Sequence, residues 1–119
     1  SVDDALNRAF AYVEAGVDGV MIHSKEKSGK DIEEFVKRFR EKDPLTTIIL
    51  VPTTYNHIDE EYWISIGVNI IIYANHLLRA SYPAMVDTAS KILEDSNSVR
   101  ASEKCISIKD ILTLIPGTK

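Results

Sequence analysis

Three polar clusters sit directly behind apolar runs in this chain: His23-Ser24-Lys25 after 17–22, Thr53-Thr54-Tyr55 after 46–51, and Asn75-His76 after 68–73. Imidazole, hydroxyl and carboxamide groups can all donate to an anionic oxygen, and the imidazole titrates near neutrality. If the apolar runs are parallel strands, all three clusters lie at strand C-terminal ends, where sites form in β/α architectures. His23 is the sharpest candidate, with Ser24, Thr53 and Asn75 as weaker ones. The competing reading is that these residues cap strands and satisfy loop backbone. Lys25, Lys27 and Lys30 form a basic loop that suits an anion, or simply solvent. His57 reads as solvated, and His76 as a helix cap. Asp59-Glu60-Glu61 reads as acids at a helix start rather than a paired-carboxylate site. No glycine-rich phosphate loop, nucleophile elbow or metal-ligand spacing is present. Pattern alone therefore stops at an anion-binding rim.

The elements that must carry these residues follow from periodicity. Leu6, Ala9, Phe10 and Val13 recur at helical spacing over 3–15, with acids at the start and Gly16 past the end. Ile32, Phe35, Val36 and Phe39 share one face of a second helix, which carries acids in its first turn and Lys37, Arg38 and Arg40 at its far end. Pro44 bars its continuation. A β-branched run predicts a strand over 46–51, and apolar runs predict strands over 17–22 and 68–73. A short helix over 59–66 ends at Gly67. A long helix over 77–94 offers Leu78, Met85, Ala89 and Ile92 for packing, with Arg79 expected in an ion pair inside it. A polar stretch, 95–104, leads to a last helix near 108–114. Apolar strands separated by helices predict a parallel sheet covered by helices.

With 119 residues, 45% of them hydrophobic, the chain suits one folded domain. A net charge of −4 gives no electrostatic footprint for nucleic acid or an anionic membrane. No apolar run approaches the roughly 20 residues that span a bilayer. The single Cys105 excludes an internal disulfide and a cysteine-based metal cluster. A cytoplasmic protein is expected. The chain opens on a helix and without methionine, so 1–119 is expected to be an incomplete domain that begins in mid-protein.

Five segments carry a resemblance. They are Ala5-Leu6-Asn7-Arg8-Ala9-Phe10-Ala11-Tyr12, Glu14-Ala15-Gly16-Val17-Asp18-Gly19-Val20-Met21-Ile22-His23-Ser24-Lys25, Val51-Pro52-Thr53-Thr54-Tyr55, Ile72-Tyr73-Ala74-Asn75-His76-Leu77-Leu78-Arg79-Ala80-Ser81 and Ser107-Ile108-Lys109-Asp110-Ile111. In this order they resemble the phosphoenolpyruvate mutase family of the isocitrate lyase superfamily. His23-Ser24 is the discriminating pair, since carbon–carbon lyases of that superfamily carry Pro-Glu at the same strand end.

The resemblance implies an α/β fold, the C-terminal segment of a (β/α)8 TIM-type barrel with three parallel strands and flanking helices. It implies the interconversion of phosphoenolpyruvate and phosphonopyruvate with Mg²⁺, through a metaphosphate-like group beside a pyruvate enolate. A histidine at the position of His23 would then help hold the phosphoryl group. The metal ligands, the phosphoryl-binding arginine and the gating loop are expected upstream, in a missing N-terminal barrel portion. Alone, the chain is expected to bind Mg²⁺ weakly and to turn over nothing. Family members are oligomers that exchange C-terminal helices, so a homo-oligomer is expected, with the segment after Leu77 docked on a neighbour. Two alternatives stand beside this: a phosphonopyruvate hydrolase, and a non-catalytic half-barrel that serves as an interaction module.

Overall fold

A computed structural model describes residues 1–114 and 117, so residues 115, 116, 118 and 119 of the expected domain lie outside the described residues. The chain divides into two units, Ser1–Ala74 and Asn75–Lys119.

The first unit alternates helix and strand: α1 (Val2–Glu14), β1 (Gly19–Ile22), α2 (Lys30–Lys42), β2 (Thr47–Leu50), α3 (Glu60–Ser65) and β3 (Ile70–Ile71). Local chemistry sets the helix ends. Ser1 Oγ accepts the Asp4 N–H at 3.3 Å, a side-chain N-cap. At the other end Gly16 takes φ +89°, and the N–H groups of Gly16 and Val17 donate to the Val13 and Tyr12 carbonyls. That pair of bonds is a Schellman stop, and its left-handed residue favours glycine. Gly67 closes α3 in the same way, through Ile64 and Trp63.

The three strands are parallel in the order β1-β2-β3, with Ile22 opposite Leu50 and Leu50 opposite Ile71. Each lies inside its expected run, with the ends trimmed. The core sits on one face of this sheet. Leu6 and Ala9 of α1, and Ile32, Phe35, Val36 and Phe39 of α2, close over Val20, Ile48 and Leu50. Phe10 stacks on Phe39 at 5.0 Å, and Trp63 of α3 meets Tyr55 edge-on at 5.6 Å. In α1 and α2 the faces read from periodicity are the ones that turn to the core, with Phe10 and Val13 partly buried.

The expected parallel sheet with flanking helices is present, and the helices of this unit lie on one side of it. Successive strand residues point to opposite faces, and α1, α2 and α3 all join the core on the Val20–Ile48–Leu50 side. Met21 is left 58% exposed, and Ile70 and Ile72 are also exposed. Sequential parallel strands with every helix on one face form a singly wound sheet. A doubly wound sheet would carry helices on both.

Arg40 ties the opposite end of the sheet together. Its Nε donates to the Gly67 carbonyl at 2.8 Å, and Nη1 donates to the Asp43 and Thr46 carbonyls at 2.9 and 2.8 Å. Its Nη2 donates to Asn69 Oδ1 at 2.6 Å, and that oxygen also accepts the Ile48 N–H at 2.9 Å. Desolvation lowers the Arg40 pKa from its ordinary value, a cost these bonds offset. Asp43 accepts from the Thr46 hydroxyl and from two backbone N–H groups, which holds its carboxyl below the usual range.

The second unit contains α4 (His76–Asp95), α5 (Val99–Ser102) and α6 (Ile108–Thr113). No residue of α4 is buried, so Leu78, Met85, Ala89 and Ile92 do not pack as expected. Arg79 makes no ion pair among the described residues, which corrects the expected pair. The stretch 95–104, read as a polar spacer, contains α5. Arg100 grips Asp95 with two bonds of 2.6 Å, and Asn97 caps the Val99 N–H at 3.0 Å. Such local bonds leave no apolar period to read.

Candidate functional site

Because the strands run parallel, the residues that follow β1 and β2 leave the same edge of the sheet. His23 comes directly after Ile22 and is exposed; its imidazole has no hydrogen-bond partner among the described residues. With Arg8, Ser24 and Asp31 it lines a groove of about 240 Å³ between α1, the end of β1 and the first turn of α2. Arg8 pairs with Asp4 at 3.2 Å. Its charge is therefore partly committed.

Ser24 begins an ordered loop. The N–H of Glu26 donates to Ser24 Oγ at 3.1 Å, that of Ser28 to Glu26 Oε1 at 2.9 Å, and that of Lys30 to Ser28 Oγ at 3.3 Å. The Ser28 hydroxyl also bonds to Glu26, and this bond is the leading reason that the Glu26 carboxyl titrates below its ordinary value. Side chains at every second position thus accept the N–H two residues on, the local pattern that serine favours outside helices. The chain of bonds ends at Lys30, the first residue of α2, whose N-cap Gly29 has φ +76°. The Ser24 hydroxyl donates onward to Asp31 Oδ2 at 3.2 Å. Lys25, Lys27 and Lys30 make no ion pair among the described residues. Sequence reading found the lysines of this loop and missed its ties. The available signal was the alternation of Ser24, Glu26 and Ser28.

At the end of β2 the chain turns tightly about Pro52, with the Thr53 N–H donating to the Val51 carbonyl at 2.8 Å. Thr53 is exposed and Thr54 half-buried. Tyr55 departs from the expected polar cluster, because its ring is fully buried against Trp63. Burial pushes its hydroxyl up to about 12. Neither the Tyr55 hydroxyl nor the Trp63 indole N–H has a partner among the described residues. An aromatic ring carries more apolar area than one hydroxyl can keep in water, so this tyrosine belongs to the core.

Beyond β3, Tyr73 donates its hydroxyl to Glu60 Oε1 at 2.7 Å, which raises the tyrosine's pKa. Sequence reading placed Glu60 only as a helix-start acid. Asn75 opens the second unit as the N-cap of α4 with φ +54°, without a side-chain capping bond. His57 is exposed.

The sheet edge therefore presents an unengaged imidazole, the Thr53 hydroxyl and a tied loop bearing three lysines. This set suits an anionic oxygen. It does not suit Mg²⁺, which prefers carboxylate and water oxygens, and no group of three metal-ligating side chains occurs among the described residues. No described helix is long and apolar enough to cross a membrane.

The family model described as phosphoenolpyruvate phosphomutase matches residues 1–93. The phosphoenolpyruvate phosphomutase of Tetrahymena pyriformis is 37% identical over 113 residues, which is 95% of this chain and 37% of that protein. The solved phosphoenolpyruvate phosphomutase of Streptomyces platensis subsp. rosaceus aligns with a TM-score of 0.86 at 32% identity, covering 95% of this chain and 38% of its own. A phosphonopyruvate hydrolase solved with oxalate and Mg²⁺ aligns with a TM-score of 0.82 at 32% identity, covering 95% and 39%. The chain spans little more than a third of the length of these relatives.

Proposed function

Since the chain belongs to the phosphoenolpyruvate phosphomutase family, we propose that its strands form one side of a (β/α)8 barrel that interconverts phosphoenolpyruvate and phosphonopyruvate. The observation that carries this is the unengaged His23 at the C-terminal end of β1, in a sheet that aligns with a phosphomutase. In such an isomerisation a phosphorus–oxygen bond breaks and a phosphorus–carbon bond forms. The protein's task is positioning and charge stabilisation. His23 donates to a phosphoryl oxygen. Thr53 is proposed to contribute further along the same edge. Mg²⁺ ligands would come from other β/α units. The unpaired Cys105 suits a reducing compartment such as the cytoplasm.

The test is a hybrid barrel in which residues 1–119 replace the matching segment of the Tetrahymena phosphomutase. The expected product from phosphonopyruvate is phosphoenolpyruvate. Pyruvate and phosphate instead would favour the hydrolase reading, which the similarly close solved hydrolase supports. A folded hybrid that forms neither product would leave the non-catalytic interaction module.

The exposed apolar residues of α4, among them Leu78, Tyr82, Met85 and Leu93, exceed what a soluble surface leaves uncovered. We assign them to a second copy of the chain, as in a homo-oligomer, and the bare face of the sheet to the remaining barrel units. Light scattering on the 119-residue chain should show association. A monodisperse, folded monomer at high concentration would contradict both assignments.

A further inference from the structure

We propose that Asp31 is a positioning residue, acting through the Ser24 hydroxyl to hold the peptide that carries His23. The proposal rests on the reading of His23 given above. A serine hydroxyl has one proton to donate, and that of Ser24 goes to Asp31 Oδ2 at 3.2 Å, while its oxygen accepts the Glu26 N–H at 3.1 Å. In this state Ser24 has no proton left for a bound anion. Its role is to fasten the strand end to the first turn of α2, and it is joined there by the bonds that run through Glu26 and Ser28 to Lys30.

The far anchor is equally fixed. Gly29 is buried, and a Cβ there would meet Ile58 Cδ1 at 2.6 Å. Asp31 lies in the first turn of a helix whose Ile32 and Phe35 lie in the core. The exposed segment 25–28 therefore leads from the strand end to a packed anchor, held by side-chain-to-backbone bonds. A donor aimed at a transferring group must be held to within about half an ångström of its working place. His23 makes no side-chain bond of its own to supply that constraint.

A direct substrate role for Ser24 and a positioning role predict different results when Asp31 is removed. If Ser24 binds substrate, Asp31→Ala frees its proton and leaves turnover unchanged or improved. If Ser24 fastens the loop, Asp31→Ala and Ser24→Ala cause similar losses, and the double variant loses no more than either alone. Asp31→Asn keeps an acceptor and restores turnover.

Two measurements decide this. In the 119-residue chain, amide hydrogen exchange should quicken several-fold at Glu26 in Asp31→Ala and remain near parental in Asp31→Asn; unchanged exchange in Asp31→Ala overturns the proposal. In the hybrid barrel, kcat should fall by up to about a hundredfold in Asp31→Ala, with KM and thermal midpoint near parental. Parental kcat in that variant overturns the positioning role. A parental hybrid without activity defeats the functional reading, and the exchange measurement still decides whether Asp31 holds the loop.

Discussion

His23→Ala in the hybrid barrel is expected to lower kcat by about a hundred- to a thousandfold while leaving the thermal midpoint in place. Removing one donor aimed at developing charge costs about 2.7–4 kcal/mol of transition-state stabilisation. The structure separates this from a folding effect. The imidazole is exposed and has no hydrogen-bond partner among the described residues, so truncating it removes neither packing nor a bond. The loop that follows is tied from Ser24 onward and does not depend on the ring. Turnover and midpoint measured side by side give the answer. Near-parental turnover in a folded variant would reduce His23 to a loop residue.

Arg40→Ala is expected to destabilise the 119-residue chain by about 2–4 kcal/mol, since hydrogen bonds to a charged group are each worth about 1.5–3 kcal/mol and part of this is recovered from water. Against a typical total of about 5–15 kcal/mol, that is a large fraction. Four bonds vanish together, to the carbonyls of Gly67, Asp43 and Thr46 and to Asn69. They are what joins the end of α2 to the starts of β2 and β3. Arg40→Lys should recover less than half of the loss, because a single ammonium group cannot reproduce the planar fork. Urea unfolding of the three proteins measures it. A loss below about 0.5 kcal/mol, the range of an ordinary surface change, would show that the network is ornamental.

Most of the secondary structure was legible because it is written in local terms. The 3.6-residue recurrence of Ile32, Phe35, Val36 and Phe39 names the buried face of α2 without reference to the rest of the chain. Gly16 and Gly67 mark helix ends because a left-handed residue is needed there. The rim position of His23 and Thr53 follows from strand ends alone once the strands are taken as parallel. The family was legible in the motif order around His23-Ser24.

The remainder depended on contacts between residues far apart in sequence. An apolar strand is apolar on both faces whichever face is covered. That Val20 is enclosed and Met21 bare was decided by all three helices packing on one side. Tyr55 looks like a rim hydroxyl by position, and only the neighbouring Trp63 and Gly29 turn it inward. Arg40 reads as a cation at a helix C-terminus. Its actual duty concerns carbonyls up to 27 residues away. The Ser24–Asp31 tie spans seven residues and exists because the loop closes onto α2. In each case sequence fixed the chemical capacity of a side chain, and tertiary structure decided its partner, because a period records where a residue points along its own element and carries no information about what arrives opposite it.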